Sequence, residues 1–259
     1  MVKQEQRTFF ARAKSWASKR GLFGPQAYLR YVMFTFLDCL FEETDRFIFK
    51  GGNLLWIYIK TPRHTIDLDL VTFDLKNSGL IKGLVRKACA RGKQRGINFR
   101  VSSFVEKEQK GETRAAVTIE YKTEEGASNK FELDIIYFVQ TRSALLDSPV
   151  DSGKKIRAAA IEEIISDKLM ACQRFRGGNT RMKDFDDLYR ICKSGLSVKW
   201  AVVRQLLRER RISRLLDKSW LNVETLALWG RHSRRYKDLP EELTKVFSNI
   251  NLWLRKNLS

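Results

Sequence analysis

The sequence is poor in the side chains that build transition-metal sites. Among 259 residues there are two histidines, His64 and His232, and four cysteines, Cys39, Cys89, Cys172 and Cys192. No two cysteines have CxxC spacing, which argues against a zinc centre. Wide separations, and apolar neighbours around Cys39 and Cys172, suit reduced, buried thiols rather than a disulfide framework. Long apolar runs are missing too. None approaches the ~20 residues that span a bilayer. Met1 to Arg7 is polar, with no apolar signal segment behind it. The expectation is a cytoplasmic protein with no membrane partner. There is no internal repeat and no low-complexity stretch.

Acidic residues are scarce relative to basic ones: 30 Asp plus Glu against 49 Lys plus Arg, a formal net charge of +19. Such a balance favours polyanionic partners, nucleic acid above all, and says little about fold. The excess leans toward the C-terminus. Residues 1–150 carry 25 basic and 17 acidic side chains, and residues 151–259 carry 24 and 13. Hydrophobic residues make up 43% of the chain, enough for a substantial core.

The pattern of elements is α+β. Residues 7–22 read as a basic helix, and Gln26–Glu43 as a buried helix rich in aromatics. Arg46–Lys50 reads as a short strand broken by Gly51-Gly52, and Asn53–Ile59 as the start of a helix. Ile66–Phe73 alternates as a strand should. Ser78–Arg95 reads as a helix capped by Ser78 and ended by Gly96. Three strand-like runs follow, Asn98–Val105, Arg114–Tyr121 and Asn129–Val139, with turns over Glu106–Gly111 and Lys122–Ser128. Beyond residue 155 the pattern is helical: Ala158–Phe175, Met182–Lys193, Val198–Glu209 and Leu239–Leu258. Ser148–Gly153 has linker composition. It divides residues 1–150, a mixed sheet flanked by helices, from a basic helical part over 151–259.

Chemistry concentrates around Thr65-Ile66-Asp67-Leu68-Asp69-Leu70. Side chains two apart on a strand share a face. Asp67 and Asp69 therefore project together, with Ile66, Leu68 and Leu70 packed behind. Adjacent carboxylates repel unless a cation lies between them, and oxygen-only ligands favour Mg2+ or Mn2+. A bare DxD is as easily an exposed acidic strand. Its context is more telling. Lys50-Gly51-Gly52-Asn53 follows a strand and opens a helix, where glycine permits close backbone approach and free N–H groups attract phosphate. Together the two features make a nucleoside-triphosphate site. Asp134, in Glu132-Leu133-Asp134, can complete the carboxylate cluster as a ligand or as the acceptor of a hydroxyl proton. Lys168 falls near the apolar stripe of its helix, where it needs an anion or must snorkel out. Asp184 and Asp187 share a helical side.

Four segments carry a resemblance: FKGGNLL at 49–55, RHTIDLDL at 63–70, EEIISDKLMACQRF at 162–175 and RMKDFDDLYRI at 181–191. In order and spacing the chain resembles the AbiEii (MenT-like) nucleotidyltransferase toxins, a branch of the DNA-polymerase-beta-like superfamily. The resemblance implies a nucleotidyltransferase fold with a helical C-terminal half. It also implies transfer of a nucleoside monophosphate from a triphosphate to an acceptor, the tRNA 3′ end in the better understood relatives, and an antitoxin partner. By position, Gly51, Gly52 and Asn53 would hold phosphates, and Asp67 and Asp69 would bind metal. Lys168 would contact the triphosphate, Asp184 would be the acid of the last motif, and Arg63 and Thr65 would flank the nucleotide. Asn53 departs from the usual Ser or Thr, although an amide can also bond phosphate. From Arg204 to Lys237 ten basic residues interleave with Trp220, Trp229 and Tyr236, a composition suited to RNA, although such aromatics more often fill a core. Two other readings compete: the same chemistry on a protein hydroxyl or a small molecule, and a non-catalytic nucleic-acid-binding module. Retention of both DxD acids with Lys168 and Asp184 speaks against the latter.

Overall fold

A computed structural model describes residues 8–109, 111–175 and 181–258. The polar start at Met1–Arg7 lies outside the described residues, as does Lys110 in the turn expected over Glu106–Gly111. The chain forms two compact units. The first runs to Leu54 and resumes at Arg63–Ala159, and the second comprises Leu55–Pro62 and the chain from Ala160.

The first unit is built on a seven-stranded mixed sheet. Its strands are β1 (Phe47–Lys50), β2 (Asp67–Thr72), β3 (Ile97–Gln109), β4 (Glu112–Thr123), β5 (Ser128–Ile136), β6 (Ser143–Asp147) and β7 (Lys155–Ala159), in the order β3-β4-β5-β2-β1-β7-β6. β2 pairs antiparallel with β1 and parallel with β5, so it sits near the middle of the sheet. Helices α1 (Phe9–Ser18), α2 (Gly24–Glu43) and α4 (Ser78–Arg91) belong to this unit, and α3 (Gly51–Ile59) begins in it.

Each helix starts for a local reason. The Thr8 hydroxyl caps α1 by accepting from the Ala11 amide at 3.2 Å. Pro25 at the head of α2 presets the helical φ. α2 is apolar almost all round, which marks a buried helix. Val32, Phe34, Phe36, Leu37 and Leu40 are fully buried, each contributing about 1.5–3 kcal/mol. Asn77, not Ser78, caps α4, through Oδ1 to the Leu80 amide at 3.0 Å. α4 ends at Arg91, and a single 3-10 turn carries the chain to Gly96.

The second unit holds α5 (Ile161–Phe175), α6 (Met182–Lys193), α7 (Trp200–Glu209), α8 (Val223–Ser233) and α9 (Leu243–Leu258). Phe185, Trp229, Phe247 and Leu254 are among its fully buried side chains.

Several expectations are revised. Residues 155–159 form a strand paired with β1 at Ala158, so the helix expected from Ala158 begins at Ile161. Ser148–Gly153 turns the chain between β6 and β7 of one sheet. β3 runs to Gln109, through part of the expected turn. α8 was not expected, and α9 starts at Leu243 rather than Leu239.

Candidate active site

β1 passes into α3 at Lys50–Gly51 with no intervening loop. Gly51 has φ +80°, the left-handed region that glycine enters without strain. Space makes the same demand. A β-carbon at Gly51 would overlap the Asp69 carboxylate, with Cγ 2.5 Å away. At Gly52 it would overlap the Thr65 hydroxyl and lie 2.5 Å from Arg63 Nη2. The glycine pair thus lets one acid, one hydroxyl and one guanidinium close on the start of a helix. The Thr65 Oγ1 is buried and has no hydrogen-bond partner among the described residues.

Strand register assembles the rest. Antiparallel pairing sets Lys50 opposite Asp69, and parallel pairing sets Asp69 beside Asp134 and Asp67 beside Glu132. Asp67 and Asp69 are half-buried on one face while Leu68 and Leu70 are buried behind them. Ile66 does not join them: it precedes β2 and is 67% exposed. Burial raises the pKa of Asp134, Arg114 opposes this from 3.7 Å, and the Asp67 charge adds to the rise. Glu132 is exposed and accepts a hydrogen bond from Thr118 at 3.1 Å.

Asn53 has a different job from the one expected. Its Nδ2 donates to the Asp67 carbonyl at 2.7 Å and the Thr65 carbonyl at 3.3 Å. Those two bonds use both amide hydrogens. The side chain braces the entry of β2, and any phosphate contact falls to the backbone N–H groups of this turn. Sequence reasoning missed the residue that orients this amide. Arg30 of α2 is buried; its Nε donates to Asn53 Oδ1 at 3.3 Å and its Nη2 to the Arg63 carbonyl at 3.2 Å. A lone basic residue in an apolar helix was the signal available.

In the second unit, Lys168 meets two anions of its own unit. Its Nζ lies 2.8 Å from Asp184 Oδ1 and 2.7 Å from Asp187 Oδ2. Arg181 Nε lies 3.3 Å from the other Asp184 oxygen. Burial disfavours the ammonium, but Asp187 and Asp184 outweigh it and hold its pKa above the ordinary lysine value. Asp186, on the other side of α6, is held by Arg190 at 2.5 Å and His232 at 2.9 Å. The acids at the head of α6 are thus fully buried and compensated, not a solvated helix start.

The family model for the nucleotidyl transferase AbiEii toxin of type IV toxin–antitoxin systems matches residues 35–251. The chain belongs to the AbiEii family. Solved structures agree in fold. JHP933 from Helicobacter pylori aligns with TM-score 0.55 and 18% identity, over 87% of this chain and 88% of that one. A candidate nucleotidyltransferase from H. pylori aligns with TM-score 0.54 and 15% identity, over 91% and 96%. Among proteins of curated function, none matches in sequence. As an AbiEii member the protein is a nucleotidyltransferase toxin, for which a nucleoside triphosphate and an antitoxin are the implied counterparts.

Family membership also implies a divalent cation. Among the described residues, no group of three or more His, Cys, Asp or Glu side chains is arranged to hold one. The fit rests on Asp67 and Asp69, oxygen donors on one strand face, and on the charge crowding between Asp67 and Asp134 that a cation relieves. The basic C-terminal stretch of this AbiEii protein is also clearer. Trp220 and Trp229 are buried, and Tyr236 packs against His232, so the two tryptophans offer no stacking surface. Arg208, Arg211, Arg214, Arg231, Arg234 and Arg235 are exposed. Arg210 instead ties α7 to α5 through Glu163 and Asp167. No helix among the described residues is long and apolar enough to cross a membrane.

Proposed function

We propose that this AbiEii toxin transfers a nucleoside monophosphate from a nucleoside triphosphate to the 3′ end of an RNA, tRNA being the acceptor: the 3′ hydroxyl bonds to the α-phosphorus, the α–β phosphoanhydride bond breaks and pyrophosphate leaves. One observation carries the reading: the Asp69 carboxylate sits directly on Gly51, where β1 turns into α3. An acid that can bind metal and a helix start that can bind phosphate are thereby fixed side by side. Asp67 and Asp69 hold Mg2+ or Mn2+. A cation held there would supply charge neutralisation on the triphosphate and acidification of the attacking hydroxyl.

The remaining roles belong to the chain. Backbone N–H groups at Gly51, Gly52 and Asn53 take phosphate oxygens, with Arg63 and the Thr65 hydroxyl beside them. Asp134 accepts the proton of the incoming hydroxyl at its carboxylate, a role its raised pKa suits. By the family resemblance Lys168 is the triphosphate-contacting lysine and Asp184 the acid of the last motif; within their own unit the two form an ion pair. The basic helical residues of 151–259 track the RNA backbone. The protein acts in the cytoplasm, where tRNA and an antitoxin meet it.

Purified protein incubated with Mg2+, total RNA and each of four labelled nucleoside triphosphates tests this. Label is expected on the tRNA fraction with one or more nucleotides. Label on protein instead moves the acceptor to a protein hydroxyl, and no label with any nucleotide sinks the enzymatic reading.

A further inference from the structure

α2 carries one basic residue, Arg30, and buries it: 3% of its surface remains accessible. Burying a guanidinium costs free energy unless its N–H groups find acceptors. Here they link two segments far apart in sequence. Nε reaches the Asn53 side chain on α3, and Nη2 reaches the backbone of Arg63 in the loop before β2. The rigid fork of a guanidinium suits such a span, whereas a single ammonium does not.

The consequences pass through Asn53. Because its Oδ1 accepts from Arg30, its Nδ2 must face the carbonyls of Thr65 and Asp67. The Arg63 guanidinium and the Thr65 hydroxyl are the groups that close on Gly52. Arg30 therefore holds both ends of the segment that forms one wall of the glycine turn. Burial and the neighbouring Arg63 charge together lower the Arg30 pKa to about 10. The Arg63 guanidinium, which flanks Gly52, is the positive group that an anion at the turn would meet. Arg30 lies N-terminal to the stretch matched by the family model.

We propose that Arg30 is a positioning residue of this site: by bridging Asn53 and the Arg63 carbonyl, it fixes the arginine–threonine wall of the Gly51–Gly52 turn and sets the affinity for the triphosphate. The ligand named here rests on the nucleotidyl-transfer reading above.

Four proteins test it: wild type, Arg30→Met, Asn53→Ala and the double variant. Each is checked for a cooperative urea transition and assayed for transfer over a range of triphosphate. Arg30→Met should raise KM for the triphosphate about tenfold or more, with kcat within about threefold. A merely structural role would lower the active fraction, and hence kcat, without moving KM. The double variant should be no more than about threefold worse than the worse single variant, because both changes cut one linkage. An unchanged KM in Arg30→Met, or a double variant whose defect is the product of the two single defects, overturns the proposal. If Arg30→Met fails to fold, Arg30→Lys serves. It keeps the charge and loses the fork, so it should also raise KM, and a wild-type KM overturns the bridge. A wild-type protein that transfers nothing fails the transfer reading instead. The linkage is then read from binding of a non-hydrolysable nucleoside triphosphate to the same four proteins. Weaker, non-additive binding upholds it, and binding unchanged or absent throughout overturns it.

Discussion

The two units handle charge in opposite ways. Around Gly51, acids are gathered beside other acids: Asp67 and Asp69 share a strand face, Asp134 lies in register with Asp69, and burial, with the Asp67 charge adding to it, raises the Asp134 pKa. These groups are half-buried and reachable. Around Lys168, charges are sealed and matched, with one ammonium between two fully buried carboxylates. The first arrangement sets like charges together, a crowding that a cation would relieve. The second is complete in itself. Breaking it leaves buried charge uncompensated, which is strongly destabilising.

Substitutions can break this contrast. Asp69→Ala should have the largest effect on activity, a loss of about a thousandfold or more in transfer. Its unfolding free energy should stay within about 1 kcal/mol of wild type, since a crowded charge has been removed. Urea unfolding followed by circular dichroism checks that. Lys168→Met should show the reverse profile in stability. Leaving Asp184 and Asp187 buried together should cost about 3–5 kcal/mol of unfolding free energy, read as a lower urea midpoint with or without Mg2+.

Gly52→Ala should be milder. The new methyl meets side-chain ends of Thr65 and Arg63 that can shift. About 1–2 kcal/mol of stability and about tenfold in triphosphate affinity should be lost, measurable by equilibrium binding. Smallest is the effect at the basic surface. Replacing Arg231, Arg234 and Arg235 with Ala should leave stability unchanged within about 0.5 kcal/mol. It should also make RNA binding less sensitive to salt, the logarithmic slope falling by about one for each phosphate that is no longer neutralised. A stable Lys168→Met protein, or an unstable Asp69→Ala protein, would erase the distinction between the two regions.

What could be read in the sequence follows from how local each signal is. Gly51-Gly52 and the DxD strand were legible because close approach and the two-residue strand period are written in adjacent residues. α2 was legible from the length of its apolar run, and α5 and α6 from apolar periodicity. β6 and β7 were not: each has five residues, and β7 joins the sheet through β1, about a hundred residues earlier in the chain. The chain enters the sheet at Ala158 just where alanine favours a helix, so tertiary pairing overrode propensity. The role of Asn53 was hidden for a similar reason. Its residue type suggested phosphate, but carbonyls at Thr65 and Asp67 and a guanidinium from α2 claim it. Lys168 was expected either to meet an anion, a triphosphate among the candidates, or to snorkel out, and in the structure it lies between Asp184 and Asp187. That Asp187 shares it with Asp184 depends on how α5 and α6 meet, which no spacing within either helix records. Trp220 and Trp229 sat among basic residues, where aromatics stack on bases or, more often, fill a core; they are buried in the second unit.

The most direct test compares RNA labelling by wild-type and Asp69→Ala protein at matched folded concentration, with Mg2+ and again with excess chelator. The account predicts labelled RNA from wild type with Mg2+ alone, and background from the chelated sample and from the variant under both conditions. Equal labelling by folded Asp69→Ala protein would contradict it, and would move the metal and the chemistry away from the Gly51 turn.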